Sequence, residues 1–105
     1  IFLVCLNDEE PIGCLGLRPL NHDRGELKRM YVRPAFRGRG LAKIMLAEME
    51  SQAIRRGFKR IVLETGNQQH TAIDLYLANG YETIRPYNEA SDGPASVCFC
   101  KTLKR

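Results

Sequence analysis

The sequence predicts an α+β fold: a single mixed, mostly antiparallel β-sheet with two helices packed on it, in the order β-β-β-α-β-α-β-β. Three observations predict it. Short apolar or alternating runs bounded by turn clusters recur at both ends of the chain. Two stretches carry apolar residues at helical spacing and each finishes on a glycine. Between them lies the continuous apolar run Ile61-Val62-Leu63, which suits a central strand buried on both faces. At 105 residues the chain has room for one domain, 1–105, large enough to bury a core without metal or disulfide staples.

Taken in order, Ile1–Leu6 has strand composition, and the polar cluster Asn7 to Pro11 turns it into a second strand, Ile12–Leu20. A second turn, Asn21 to Gly25, leads to Glu26–Val32. Strict alternation there puts Leu27, Arg29 and Tyr31 on one face and Glu26, Lys28, Met30 and Val32 on the other. Arg33-Pro34 ends that strand. Leu41–Arg56 is the clearest helix, with Ala42, Met45, Leu46, Met49 and Ala53 on one face and Gly57 as a left-handed stop. After the strand Lys59–Thr65, Asn67 is expected to cap a second helix that runs to Asn79 and stops at Gly80. Tyr81–Arg85 and Ser96–Leu103 read as the last strands, joined by a polar loop.

Composition excludes several classes. Hydrophobic residues at 44% and charged residues at 27% describe a globular chain rather than a disordered one. The longest wholly apolar run, Ile1–Leu6, is far below the roughly 20 residues that span a bilayer, so no membrane association is expected. Cys5, Cys14, Cys98 and Cys100 form no CxxC pair and the chain has only two histidines, so no metal is expected; the cysteines read as buried free thiols of a cytoplasmic protein. The net charge of +4 fits an anionic ligand. Nucleic acid is a weaker reading of the same charge: the Arg55/Arg56/Lys59/Arg60 cluster straddles a helix end and a strand start, with no stacking platform beside it.

The chemistry concentrates in the segment from Val32 to Ala42, between a strand and the best helix. Gly38 and Gly40 free the backbone to take conformations closed to other residues and let a ligand approach the main-chain N–H groups. Those groups lead into the unsatisfied donors of a helix N-terminus, and Arg37, Arg39 and Lys43 add full charges. The composition fits a phosphate cradle or a solvated basic turn. Neither a Walker loop nor a dinucleotide fingerprint is present.

Arg37-Gly38-Arg39-Gly40-Leu41-Ala42 resembles the [Q/R]-x-x-G-x-[G/A] acyl-CoA motif of the GNAT superfamily of N-acetyltransferases, and it follows a strand ending Tyr31-Val32-Arg33-Pro34 as it does there. Downstream, the run from Ala72 to Tyr81 is similar to that superfamily's A-x-x-L-Y-x-x-x-G-[F/Y] helix. The resemblance covers nearly the whole chain. It implies direct transfer of the acetyl group of acetyl-CoA to a primary amine of a small molecule or protein, through a ternary complex. It also implies a strand and two helices ahead of Ile1, which leaves a truncated chain and a minimal, partner-completed variant as open readings. A sheet edge left exposed there invites a homodimer.

The same resemblance implies the site residues. The pyrophosphate would rest on the amides of Arg37, Gly38, Arg39, Gly40, Leu41 and Ala42, and the pantetheine arm would pair with the backbone of Met30 and Val32 like an added strand. Gln69 stands where many members carry an asparagine that touches the cofactor. Tyr76 matches the tyrosine that hydrogen-bonds or protonates the leaving thiolate; the other reading is a core tyrosine. Glu26 is the candidate base, with burial expected to raise its pKa, or else a glutamate paired with Lys28 or Arg29. An inactive domain that binds CoA is the alternative to an enzyme.

Overall fold

The computed structural model describes residues 1–87 and 93–104. Strand β1 (Phe2–Asn7) pairs with β2 (Glu10–Pro19), β2 with β3 (Arg24–Val32), and β3 with β4 (Arg60–Gly66). Two further strands, β5 (Glu82–Ile84) and β6 (Ser96–Thr102), complete a sheet of order β1-β2-β3-β4-β6-β5. Among the described strands only β3 and β4 pair in parallel, because helix α1 (Leu41–Arg55) carries the chain back between them. Helix α2 (His70–Ala78) makes the crossover from β4 to β5. The expected order of elements holds, with two 3₁₀ turns added at Pro34–Phe36 and Gly93–Ala95.

Both helices pack on one face of the sheet. Leu15 and Leu17 of β2, Leu27 of β3, and Ile61 and Leu63 of β4 meet Met45, Leu46, Met49 and Ala53 of α1. Toward β6 the same core continues through Phe99, Tyr81 and Tyr76, whose rings lie 5.6 and 5.9 Å apart in turn around Tyr76. The opposite face carries Arg18, Glu26, Lys28, Glu64, Cys98 and Cys100, as the paired registers Arg18↔Glu26, Glu26↔Val62, Val62↔Cys100 and Glu64↔Cys98 require. On β1 the alternation leaves Phe2, Val4 and Leu6 exposed. The four thiols are free; Cys98 is buried and the other three half-buried.

The helices end alike. After α1, the N–H of Gly57 reaches Ile54 O and that of Phe58 reaches Ala53 O, with Gly57 at φ +87°. After α2, Gly80 at φ +89° bonds Leu77 O and Tyr81 bonds Tyr76 O. Both stops are the ones the glycines announce. The start of α2 is not: Gln69 is its N-cap, without a side-chain cap bond, and Asn67 instead donates its Nδ2 to Pro94 O at 2.8 Å. An amide can close a loop as well as cap a helix, and here the neighbouring loop supplies the carbonyl. Among the loop residues between the last two strands, 88–92 lie outside the described residues.

Strict alternation also fails in β3. Gly16 opposes Lys28 but Cys14 opposes Tyr31, so Leu15 alone faces two residues, Arg29 and Met30. Arg29 takes φ +60° to make this bulge. Its effect is a face switch: Met30 and Val32 pack with Leu27 against the helix-side core, while Glu26 and Lys28 stay on the other face. The shared face expected for Glu26 and Val32 is thereby corrected.

Candidate functional site

The loop before α1 is shaped by its glycines. Gly38 and Gly40 adopt φ +78° and +80°, and a Cβ added at either would meet no protein atom within 4 Å. The left-handed conformation, rather than crowding by the protein, therefore requires glycine, and the space above the loop is open to a ligand. The first helical bond runs from Ile44 N to Gly40 O, 3.1 Å. The N–H groups of Gly38 to Lys43 accordingly find no acceptor among the described residues and converge where the helix dipole favours negative charge. The guanidiniums beside them are held by stacking: Arg37 lies 5.4 Å from the Tyr31 ring centre and donates Nε to Val32 O, and Arg39 lies 5.3 Å from that of Phe36.

This loop forms one wall of a cavity of about 550 Å³ that extends past Met30, Val32 and Ala42 to Gln69, Ala72 and Tyr76. All the predicted cofactor residues except Arg39 line it, and Arg39 sits on the same loop. An extended anionic ligand fits the donors present: unbonded amides and basic side chains at one end, an apolar channel along the other.

A second cavity, about 420 Å³, opens where the sheet splits. Strands β3 and β4 pair only at Arg24↔Arg60, Gly25↔Ile61 and Glu26↔Val62. Beyond that point Leu27 to Met30 and Leu63 to Gly66 draw apart and wall a cleft, closed at its end by Gln69, Ala72 and Tyr76. The cleft passes through the sheet: Tyr76 and Ala72 belong to the helix side, Lys28 and Glu64 to the other face. Met30, Gln69, Ala72 and Tyr76 line both cavities, so these two spaces join at Tyr76.

Tyr76 is 5% exposed and its phenol finds no hydrogen-bond partner among the described residues, yet no buried side-chain polar atom there is left unsatisfied. The hydroxyl therefore meets the cleft. Burial raises its pKa above the ordinary tyrosine range, which keeps it a proton donor at every physiological pH. Glu26 behaves differently from expectation. It is 1% exposed, and burial does push its pKa upward. That push is overcome by donors: Tyr87 Oη at 2.6 Å, Arg18 Nε at 2.8 Å and Lys28 Nζ at 3.3 Å, so the net shift is downward. The expected rise is corrected, and of the two expected partners only Lys28 is present. Glu26 lies beside the cleft lining, not in it.

Sequence reasoning missed several cleft residues. Ala72 has a signal, since it precedes Tyr76 by four residues and must share its helix face. Glu64 has one too, as the polar end of an apolar central strand. Arg18 and Tyr87 reach Glu26 from 8 and 61 residues away, which no local pattern discloses.

A parallel pair of strands splayed beside a glycine loop and helix N-terminus is the architecture of an acyl-CoA N-acyltransferase, and solved structures agree. A putative acyl-CoA N-acyltransferase from Klebsiella pneumoniae superposes with a TM-score of 0.86 at 38% identity, covering 90% of this chain and 66% of that one. The PaiA N-acetyltransferase from Thermoplasma acidophilum, solved in complex with coenzyme A, gives 0.84 at 24% identity over 97% of this chain and 60% of that one, a likeness of fold. The chain belongs to the acetyltransferase (GNAT) family, whose model matches residues 1–81. An IAA acetyltransferase from Azospirillum brasilense is 32% identical over 103 residues, 97% of this chain and 67% of the relative. The chain thus spans about two thirds of the length of these relatives or less.

Proposed function

We propose that this chain supports direct transfer of the acetyl group of acetyl-CoA to a primary amine, both substrates being bound together. The observation that carries the proposal is the Tyr76 phenol, protonated and without a partner among the described residues, at the junction of the loop cavity and the cleft. Family membership and the fit of the loop support it.

Bound acetyl-CoA would supply an activated acyl carbon on a thioester. The amides from Gly38 to Lys43, with Arg37 and Arg39, hold the pyrophosphate. Backbone groups of Met30 and Val32 align the pantetheine arm along the inner edge of β3. Val32 O is held by Arg37 Nε in this structure, so that pairing requires Arg37 to release it. Gln69 and Ala72 bound the arm where it meets the cleft. Glu64, the carboxylate on the cleft wall, takes a proton from the incoming ammonium directly or through one water. As the C–N bond forms and the C–S bond breaks, Tyr76 gives its phenolic proton to the leaving sulfur; the second proton of the attacking nitrogen passes to solvent, which returns one to Tyr76. Glu26 stays ionised and holds Lys28 at the cleft and Arg18 at the cavity that adjoins it. No step needs a metal.

Calorimetric titration of acetyl-CoA, with CoA and ATP as comparisons, tests the loop. Saturable binding of both CoA species well above ATP is expected. Binding no better than ATP, or tight binding with no transfer to any amine, would sink the proposal.

A further inference from the structure

The cleft mouth on the face away from the helices is built from cations, and it bears on which amine is used; the inference rests on the transfer reading above. A further cavity of about 380 Å³ lies against Ile1, Phe2, Gly16 and Leu17 and is otherwise lined by Arg18, Lys28 and Arg29. Lys28 and Arg29 also line the cleft, so the two spaces share a wall. The loop cavity reaches Tyr76 from the helix side, which leaves this side for the acceptor.

Among the described residues the charge there is compensated only in part. Glu26 is paired with two of these three cations, taking Arg18 through Nε and Lys28 through Nζ. The Nη groups of Arg18 and the whole guanidinium of Arg29 have no acceptor among the described residues. Arg29 is also the bulge residue, held at φ +60°, a conformation an arginine adopts at some cost and which turns β3 at the cleft rim. Across the cleft stands Glu64. The arrangement has a polarity: a carboxylate for the ammonium at the cleft, and two guanidiniums and an ammonium for an anion just outside it.

We propose that the acceptor is an amine carrying an anionic group, with the chemistry of an amino acid, whose carboxylate is bound by Arg18, Lys28 and Arg29 while its amino group enters the cleft. Guanidiniums recognise planar carboxylates through paired N–H donors, and Arg18 keeps its terminal pair for that use.

The experiment is a steady-state panel on the full chain with acetyl-CoA saturating. Each proteinogenic amino acid is paired with its own carboxamide, and phenethylamine and O-phosphoethanolamine are included. At least one amino acid is expected to exceed its carboxamide about tenfold or more in kcat/KM. Arg29→Gln and Arg18→Gln, both at exposed positions, are expected to shrink that ratio toward one through KM, and Arg29→Lys to keep part of it. A phosphoamine preferred over every amino acid would overturn the carboxylate and point to phosphate. Equal rates for acids and amides, or a ratio unmoved by both substitutions, would overturn the inference while leaving acetyl transfer intact. Should nothing be acetylated, the transfer reading falls separately. The inference is then read by titrating N-acetyl amino acids and their carboxamides into the CoA-loaded chain, where equal or absent binding overturns it.

Discussion

Two positively charged regions flank Tyr76 and are built on opposite principles. The loop from Arg37 to Lys43, the proposed anion cradle, is built of backbone: left-handed glycines, unbonded amides and a helix N-terminus, with its guanidiniums stacked on Tyr31 and Phe36. The rim formed by Arg18, Lys28 and Arg29 is made of side chains, the first two tied together by a buried Glu26. A backbone cradle survives exchange of side chains and is lost when its φ angles are. A side-chain cradle behaves in the reverse way, and it can change its ligand without disturbing the fold.

The difference can be broken open at several points. Tyr76→Phe removes the group between the two regions, and kcat is expected to fall about a hundredfold while acetyl-CoA affinity changes little. An unchanged kcat would take Tyr76 out of the mechanism. Glu26→Gln leaves Arg18 and Lys28 without their counter-charge, and chemical denaturation is expected to show a loss of about 2 kcal/mol. Its pH dependence has a definite sign. The native carboxyl lies below the ordinary 4.5, so the unfolded chain binds that proton more readily. The contribution is complete above about 4.5 and is lost as pH falls through the depressed native value; Glu26→Gln should flatten that acid limb of the stability curve.

Gly40→Val attacks the backbone cradle. A β-branched residue at φ +80° costs on the order of 1–2 kcal/mol, so acetyl-CoA affinity is expected to drop about tenfold by calorimetry. Arg39→Gln sharpens the contrast from the other side. One exposed charge on a loop that binds through amides should cost only about two- to threefold, and less at high salt. A larger loss than Gly40→Val produces would mean that side chains, not backbone, hold the anion.

The same contrast explains what could be read from the chain. The loop's left-handed glycines and the helix start behind them were legible because glycine spacing and a helix pattern are local, and they appear in order along Arg37 to Ala42. The two helix stops at Gly57 and Gly80 were legible for the same reason. The rim was not. It depends on a bulge at Arg29 that reverses which residues share a face, and no feature of Glu26–Val32 announces it. Nor does composition reveal that Arg18 and Tyr87 converge on one glutamate, because strand register and chain return decide that. Asn67 failed for a related reason: a cap is one of several bonds an amide can make, and the partner loop decided which.

A six-stranded open sheet ordinarily has two borders, and here those are β1 and β5. The early end of the β3–β4 pairing gives this one two more, facing each other in its interior. Amide hydrogens along Leu27–Val32 and Leu63–Gly66 that point into the gap should therefore exchange with solvent as a peripheral strand's do, although they lie at the centre of the molecule, and should slow when something completes the ladder. The fold thus carries in its middle two strand borders that face each other across a gap.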